Sequence, residues 1–265
     1  MSIKVFFVSL AFPLLLRASL PEIPFSGSLG ATAGAGASLG WERNGFGVNP
    51  AVSDPGTMAV SLAAYSPFGL DGVEVAELGV SRNGHRWGTS LSYRGLYDSE
   101  GGSVSALQGQ QSFLVFRGLT VGLSERFQKD ESGEDLDGGA GLLWNLFSFL
   151  AVGGFTETSP RPWGRTLNNE IGFDFGGKIE KGYDWRVCAE ALYNVAEGFD
   201  WRLGTSLQLH SLLSLYGGWS PAAQTLAFGI RFGMGNFEGF SALRRHTALG
   251  TTSIQGLGWR KEIKP

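Results

Sequence analysis

Five stretches of this chain share one property: apolar and polar residues alternate for longer than a soluble strand needs. From Trp201 to His210, the residues Trp201, Leu203, Thr205, Leu207 and Leu209 fall on one side, and Arg202, Gly204, Ser206, Gln208 and His210 on the other. Tyr183 to Asn194 does the same, with Tyr183, Trp185, Val187, Ala189, Ala191 and Tyr193 opposing Asp184, Arg186, Cys188, Glu190, Leu192 and Asn194. Leu119 to Gln128, Glu170 to Ile179 and Leu226 to Met234 repeat the pattern. A period of two is the mark of a strand with two different faces. Globular strands usually run about 5–6 residues, and these runs are about twice that. A tilted strand crossing a bilayer needs about 9–11 residues. The pattern therefore predicts strands that present an apolar face to lipid and a polar face to an interior.

Turn signals divide the chain after residue 56 into fourteen such segments: 57–66, 73–82, 86–97, 104–116, 118–129, 138–145, 148–157, 167–179, 183–195, 199–209, 212–219, 224–234, 236–244 and 251–260. Every second connection is tight, at Asn83-Gly84, Arg117-Gly118, Leu146-Phe147, Glu180 to Gly182, His210-Ser211 and Gly235-Asn236. The others are mostly longer, at 67–72, 98–103, 130–137, 158–166, 195–198, 220–223 and 245–250. Short turns at one end and longer loops at the other are expected of an up-and-down antiparallel outer-membrane barrel with both termini in the periplasm. Aromatics near strand ends (Trp87, Tyr97, Trp144, Tyr183, Trp185, Tyr193, Trp201 and Trp219) suit interfacial girdles. A soluble β-sandwich would have shorter strands, and a propeller would show a repeat of about 40–50 residues, which this sequence lacks.

Composition agrees. There are 41 glycines among 265 residues, far above the usual frequency of about 7%, without a collagen period. Charged residues make up 17% and aromatics 12%. Many glycines, many aromatics and few charges fit a β wall with crowded interior positions. The net charge of -3 gives no footing for nucleic acid, which calls for a basic patch.

Residues 1–20 read as an export signal, with Lys4 supplying the positive start, Val5 to Leu16 the apolar stretch, and cleavage placed between Ala18 and Ser26. Residues 21–56 precede the first strand segment. Pro50 and Pro55 resist incorporation into a ladder, because proline lacks an N–H donor. Residues 41–56 are therefore expected to form a compact non-strand element, a hatch. Trp41, Phe46 and Val48 give it an apolar side, and Asn49 is expected to tie it to wall groups such as Arg202 or Arg231.

The two ends also carry a resemblance. Gly27 to Asp54, Gly/Ala-rich and ending in Asn49-Pro50-Ala51, resembles the start of mature FadL-like and PorV/PorQ-like outer-membrane proteins. Leu249-Gly250-Thr251-Thr252 followed by Gly256-Leu257-Gly258-Trp259 is similar to the ending of the PorV/PorQ-like group. The chain then runs on past Trp259 to Pro265. The resemblance implies a fourteen-stranded barrel over 57–265 with an N-terminal hatch in or beneath its lumen. It also implies one of two jobs: passage of hydrophobic small molecules, or service with a secretion apparatus as partner.

Chemistry is sparse. His85, His210 and His246 have no Cys or His partner at metal-ligand spacing, and no Gly-x-Ser-x-Gly elbow is present. No catalytic residue, metal ligand or cofactor is expected. Cys188 reads as a small residue packed in a strand. The acidic run Asp130, Glu131, Glu134, Asp135 and Asp137 lacks the calcium-loop pattern and reads as a solvated outer loop. The polar faces carry Arg94, Arg126, Glu170, Asp174, Lys178, Arg186, Glu190, Arg202 and Arg231, expected to line the lumen as cross-strand charge pairs or as a selectivity lining.

Overall fold

A computed structural model describes residues 49–52, 55–99, 101–130, 133–161, 164–180, 183–194, 198–221 and 224–263. Residues 1–20, expected to be an export signal, and Trp41, Phe46 and Val48, expected to form the apolar side of a hatch, lie outside the described residues.

Fourteen antiparallel strands form one closed barrel: β1 (Thr57–Ser66), β2 (Val73–Asn83), β3 (Trp87–Asp98), β4 (Ser103–Phe116), β5 (Leu119–Asp130), β6 (Gly133–Phe147), β7 (Leu150–Arg161), β8 (Gly164–Glu180), β9 (Tyr183–Asn194), β10 (Gly198–His210), β11 (Leu213–Ser220), β12 (Thr225–Met234), β13 (Phe237–His246) and β14 (Gly250–Glu262). Each strand pairs with its sequence neighbours, and β1 closes on β14 from Thr57↔Glu262 to Ser66↔Ser253. Closure leaves no edge, which a spanning sheet requires because lipid cannot satisfy free backbone groups. The tail after Trp259 is part of this closure, with Arg260 opposite Ala59 and Lys261 opposite Met58.

Following the pairs once round the ring fixes the stagger. Val60 leads to Glu125 on β5, Leu119 on β5 leads to Thr251 on β14, and Trp259 leads back to Val60. The circuit drops six residues along β5 and eight along β14, so it closes fourteen residues out of step, one per strand. A stagger of that size tilts strands by about 40°, so each two-residue step along a strand is roughly 5 Å of height.

Alternation then sorts the side chains. Leu62, Leu78, Leu91, Leu123, Phe228 and Leu257 point outward and are exposed, while Ser81, Ser90, Gln108, Gln110, Ser124 and Ser206 point inward and are buried. Outward aromatics form two girdles. Trp87, Trp144, Trp185, Phe237 and Trp259 lie towards the end of the tight turns. Tyr97, Tyr193, Phe199, Trp201 and Trp219 lie towards the loop end, and the last two meet edge-to-face at 4.9 Å. Trp185 and Tyr193 are eight residues apart on one strand, roughly 20 Å of height, close to the apolar band of about 25 Å of outer-membrane barrels.

Two expectations fail at the loop end. The segments expected as loops over 130–137 and 158–166 are mostly strand: β5 runs to Asp130, β6 starts at Gly133, β7 runs to Arg161 and β8 starts at Gly164. The acidic run is therefore not a solvated loop. Two of its charges face basic residues across the hairpin, in register as Lys129↔Glu134 and Arg126↔Asp137. Lys129 and Glu134 pair at 3.0 Å, and Asp137 is buried. Opposite charges placed directly across a ladder favour its continuation, where composition alone reads as loop. Glu131 lies outside the described residues. With these hairpins extended, the expected contrast between long and short connections is weaker; 67–72 is the longest connection at the loop end.

Candidate lumen site

The interior has three parts: a turn of chain inside the wall, bands of ion pairs, and an apolar strip.

The turn is Asn49 to Val52. Asn49 Oδ1 accepts from the Ala51 N–H at 2.9 Å, and the Asn49 carbonyl accepts from the Val52 N–H at 3.0 Å. The Asn49 side chain thus closes a local turn, a habit of asparagine. Its Nδ2 donates to the Leu142 carbonyl of β6 at 3.0 Å. Among the described residues the tie seen is to backbone and not to Arg202 or Arg231, because the turn sits against β5 and β6. The seat is a pair of glycines opposite each other in register, Gly122 and Gly141. A Cβ on Gly122 would collide with the Pro50 carbonyl, and one on Gly141 with the Asn49 side chain and the Pro50 ring. Ala51 and Val52 complete the fit by packing on Leu143 and Ala151 of the inner wall. The chain then reaches the turn end, where the Gly56 carbonyl accepts from the Ile263 N–H and the Gly56 N–H donates to the Gly84 carbonyl.

The ion pairs use most of the expected lumen residues. Arg94 Nε meets Glu77 Oε1 at 2.7 Å, and the Tyr65 hydroxyl donates to the same oxygen at 3.0 Å. Arg126 meets Glu157 at 2.9 Å. Arg202 and Glu190 are directly opposite in register and both are buried. These lie in the loop-end half. Nearer the turns, Arg231 meets Glu238 at 3.5 Å and donates to Ser214 Oγ at 3.1 Å, and Arg186 stands 3.8 Å from Asp184. Glu170 and Asp174 are in register with Leu192 and Cys188; their side chains lie outside the described residues. The acidic partners Glu77, Glu157 and Glu238 were not singled out in the sequence, although each sits on the inward parity of its strand. The Arg94→Met variant is expected to destabilise the barrel by about 3–5 kcal/mol, because it strands the buried Glu77 carboxylate. Adding Glu77→Gln should recover most of that loss. Urea titration of the heat-modifiable folded band measures both.

The apolar strip was not anticipated. Tyr65, Val75, Leu96, Val104, Tyr216, Ala242 and Ile254 form one buried cluster on the inner wall, with Phe68, Val73 and Phe240 against it. By strand height it climbs from Tyr216 and Phe240 near mid-wall, through Ala242 and Ile254, to Leu96 and Val104 at the loop end. There the β1–β2 connection folds over it. The Phe68 N–H donates to Thr252 Oγ1 at 2.8 Å, and the Phe68 ring meets His246 edge-to-face at 6.0 Å. Phe68 holds φ 54°, a left-handed conformation that costs a non-glycine residue of order 1–3 kcal/mol and persists only where the surroundings impose it. His210 sits at the opposite, turn end of the barrel, and His85 is exposed in the β2–β3 turn. Cys188 is fully buried on the inner wall. Among the described residues no cluster of potential metal ligands occurs.

A closed, staggered antiparallel wall, apolar outside between two aromatic girdles and polar within, decides the architecture. The chain folds as an outer-membrane β-barrel. No protein-family model matches it, and no curated protein matches its sequence. Solved structures do. The Ralstonia pickettii toluene transporter TbuX is similar with a TM-score of 0.61 at 10% identity, over 92% of this chain and 99% of that one. The CymD monoaromatic hydrocarbon channel gives 0.58 at 9% identity, over 92% and 99%. The Acinetobacter baumannii outer membrane protein Omp33 gives 0.56 at 10% identity, over 77% and 98%. Identities this low establish the shared barrel fold and leave substrate to the residues of the lumen.

Proposed function

We propose that this barrel sits in the outer membrane as a channel for passive uptake or export of small hydrophobic molecules, closed at its turn end by the segment preceding β1. The observation that carries the reading is the apolar strip. An ordinary water-filled pore has a polar interior, and a polar lumen gains nothing from a continuous buried cluster running from Tyr216 to Val104. Each apolar wall residue lowers the cost of holding an apolar solute by roughly 25 cal/mol per Å² of surface removed from water. The ion pairs on the remaining wall neutralise one another, so they offer little to a charged solute. Two similar structures bear the names of a toluene transporter and a monoaromatic hydrocarbon channel. Both likenesses cover 92% of this chain. By this reading Asn49, Pro50 and Ala51 anchor the hatch, Trp41 and Phe46 form its apolar side, and Arg94, Arg126, Glu170, Asp174, Arg186, Glu190, Arg202 and Arg231 line the wall.

The competing reading, a non-channel barrel serving a secretion apparatus, draws on the same ion pairs, which brace the wall at two heights. Uptake separates the two. Cells carrying the protein in an intact outer membrane should take up a labelled monoaromatic hydrocarbon at limiting concentration several-fold faster than cells without it. They should gain nothing for a disaccharide. Equal hydrocarbon uptake, together with a stable partner recovered from cross-linked membranes, favours the secretion reading.

A further inference from the structure

We propose that two copies of this chain associate side by side in the membrane through the seam where β1 closes on β14, with Gln255 at the contact. The inference rests on the chain being a membrane barrel and not on what it conducts.

Gln255 faces outward from β14, four residues from the girdle residue Trp259, roughly 10 Å into the apolar band. Among the described residues its carboxamide has no hydrogen-bond partner. An amide has two donors and an acceptor to satisfy, and hydrocarbon supplies none. A second Gln255 satisfies the acceptor and one donor of each: across a two-fold axis each carboxamide donates to the other's carbonyl.

The surroundings fit that symmetry. Copies inserted in the same sense are related by an axis parallel to the barrel axis, and a two-fold contact sets each residue of the patch against its counterpart on the other copy. An axis between β14 and β1 brings β2 of one copy against β13 of the other, twice. Glu74 on β2 and Arg245 on β13 each stand one strand outside that seam, at the loop-end rim. Both are exposed and without an ion pair among the described residues. The one-residue stagger brings them to the same height within roughly 3 Å. Two reciprocal pairs therefore form, Glu74 with the partner's Arg245 and Arg245 with the partner's Glu74. Between them Ala64, Ala76 and Ser253 are small enough for the two walls to approach. Gln111 on β4 also faces outward, but no such pair of opposite charges flanks it symmetrically.

In a Cys188→Ala background, Gln255→Cys should give a disulfide-linked dimer on mild oxidation of intact outer membranes, while Gln111→Cys should stay monomeric. Glu74→Arg or Arg245→Glu alone should lower the Gln255→Cys dimer several-fold, and the double reversal should restore it. Ala64→Cys serves as a second reporter should Gln255→Cys fail to fold, and heat-modifiable migration reports folding in every case. A folded Gln255→Cys protein that stays monomeric, equal cross-linking at 111, or no recovery in the double reversal overturns the proposal. Loss of heat-modifiable migration in the parent protein overturns it together with the barrel. A protein that cross-links at 255 but shows no hydrocarbon uptake keeps the dimer and loses only the channel.

Discussion

Replacing Gly141 with valine should unseat the Asn49–Val52 turn and open the turn end of the barrel. Gly141 and Gly122 face each other with no Cβ, and the Asn49 side chain and Pro50 ring occupy the space a Cβ would take. The clash is with the Pro50 ring and with an Asn49 side chain held in place by its bonds to Ala51 and Leu142, so neither can simply rotate away. A side chain at Gly141 also displaces the Asn49 amide from the Leu142 carbonyl and the Ala51–Val52 contact with Leu143 and Ala151. The wall itself should persist, because its ladder bonds are untouched and valine suits a strand. Liposome swelling in small sugars should then rise several-fold over the parent protein, and deletion of 27–52 behind an intact export signal should match it. A folded Gly141→Val barrel with unchanged swelling would mean the turn is a strut and not a gate.

The second large effect is expected at Ile254, which is 2% exposed in the middle of the apolar strip. The Ile254→Asp variant places a carboxyl group between Tyr65 and Ala242, inside that apolar cluster. Leaving a polar group unpartnered in such a place costs about 1–3 kcal/mol, and each 1.4 kcal/mol added to a barrier is tenfold in rate. Hydrocarbon uptake should fall about 10- to 100-fold, while Ile254→Val should stay near the parent rate. Uptake at the parent rate through a folded Ile254→Asp barrel would show that the solute does not use the strip.

The wall was legible because its period is legible. Trp201 to His210 and Tyr183 to Asn194 each show a clean change of face, and both the outward aromatics and the inward arginines follow from parity alone. Three things were not legible. The β5–β6 hairpin continues through Asp137 because Arg126 and Lys129 answer its acids, and single-strand periodicity does not see cross-strand partners. Asn49 was identifiable as a polar anchor, but its acceptor is a main-chain carbonyl, which carries no sequence signature. The apolar strip is assembled from one or two inward residues on each of several strands. Val75, Leu96, Val104 and Ile254 are ordinary residues locally, and only the register of β14, β1, β2, β3 and β4 brings them together.

The central claim, that small apolar molecules occupy the inner strip, is tested most directly by photolabelling. Cells with an intact outer membrane are exposed to an aryl diazirine small enough to mimic a monoaromatic hydrocarbon, irradiated, and the labelled peptides mapped with and without excess toluene. Lipid-facing residues such as Leu123 and Leu226 should label from the bilayer and should be insensitive to toluene. Peptides carrying Tyr65, Leu96, Val104 and Ile254 should label from within, and toluene should suppress that labelling. Labelling confined to the outer face, or inner labelling that excess toluene leaves unchanged, would contradict a hydrophobic channel.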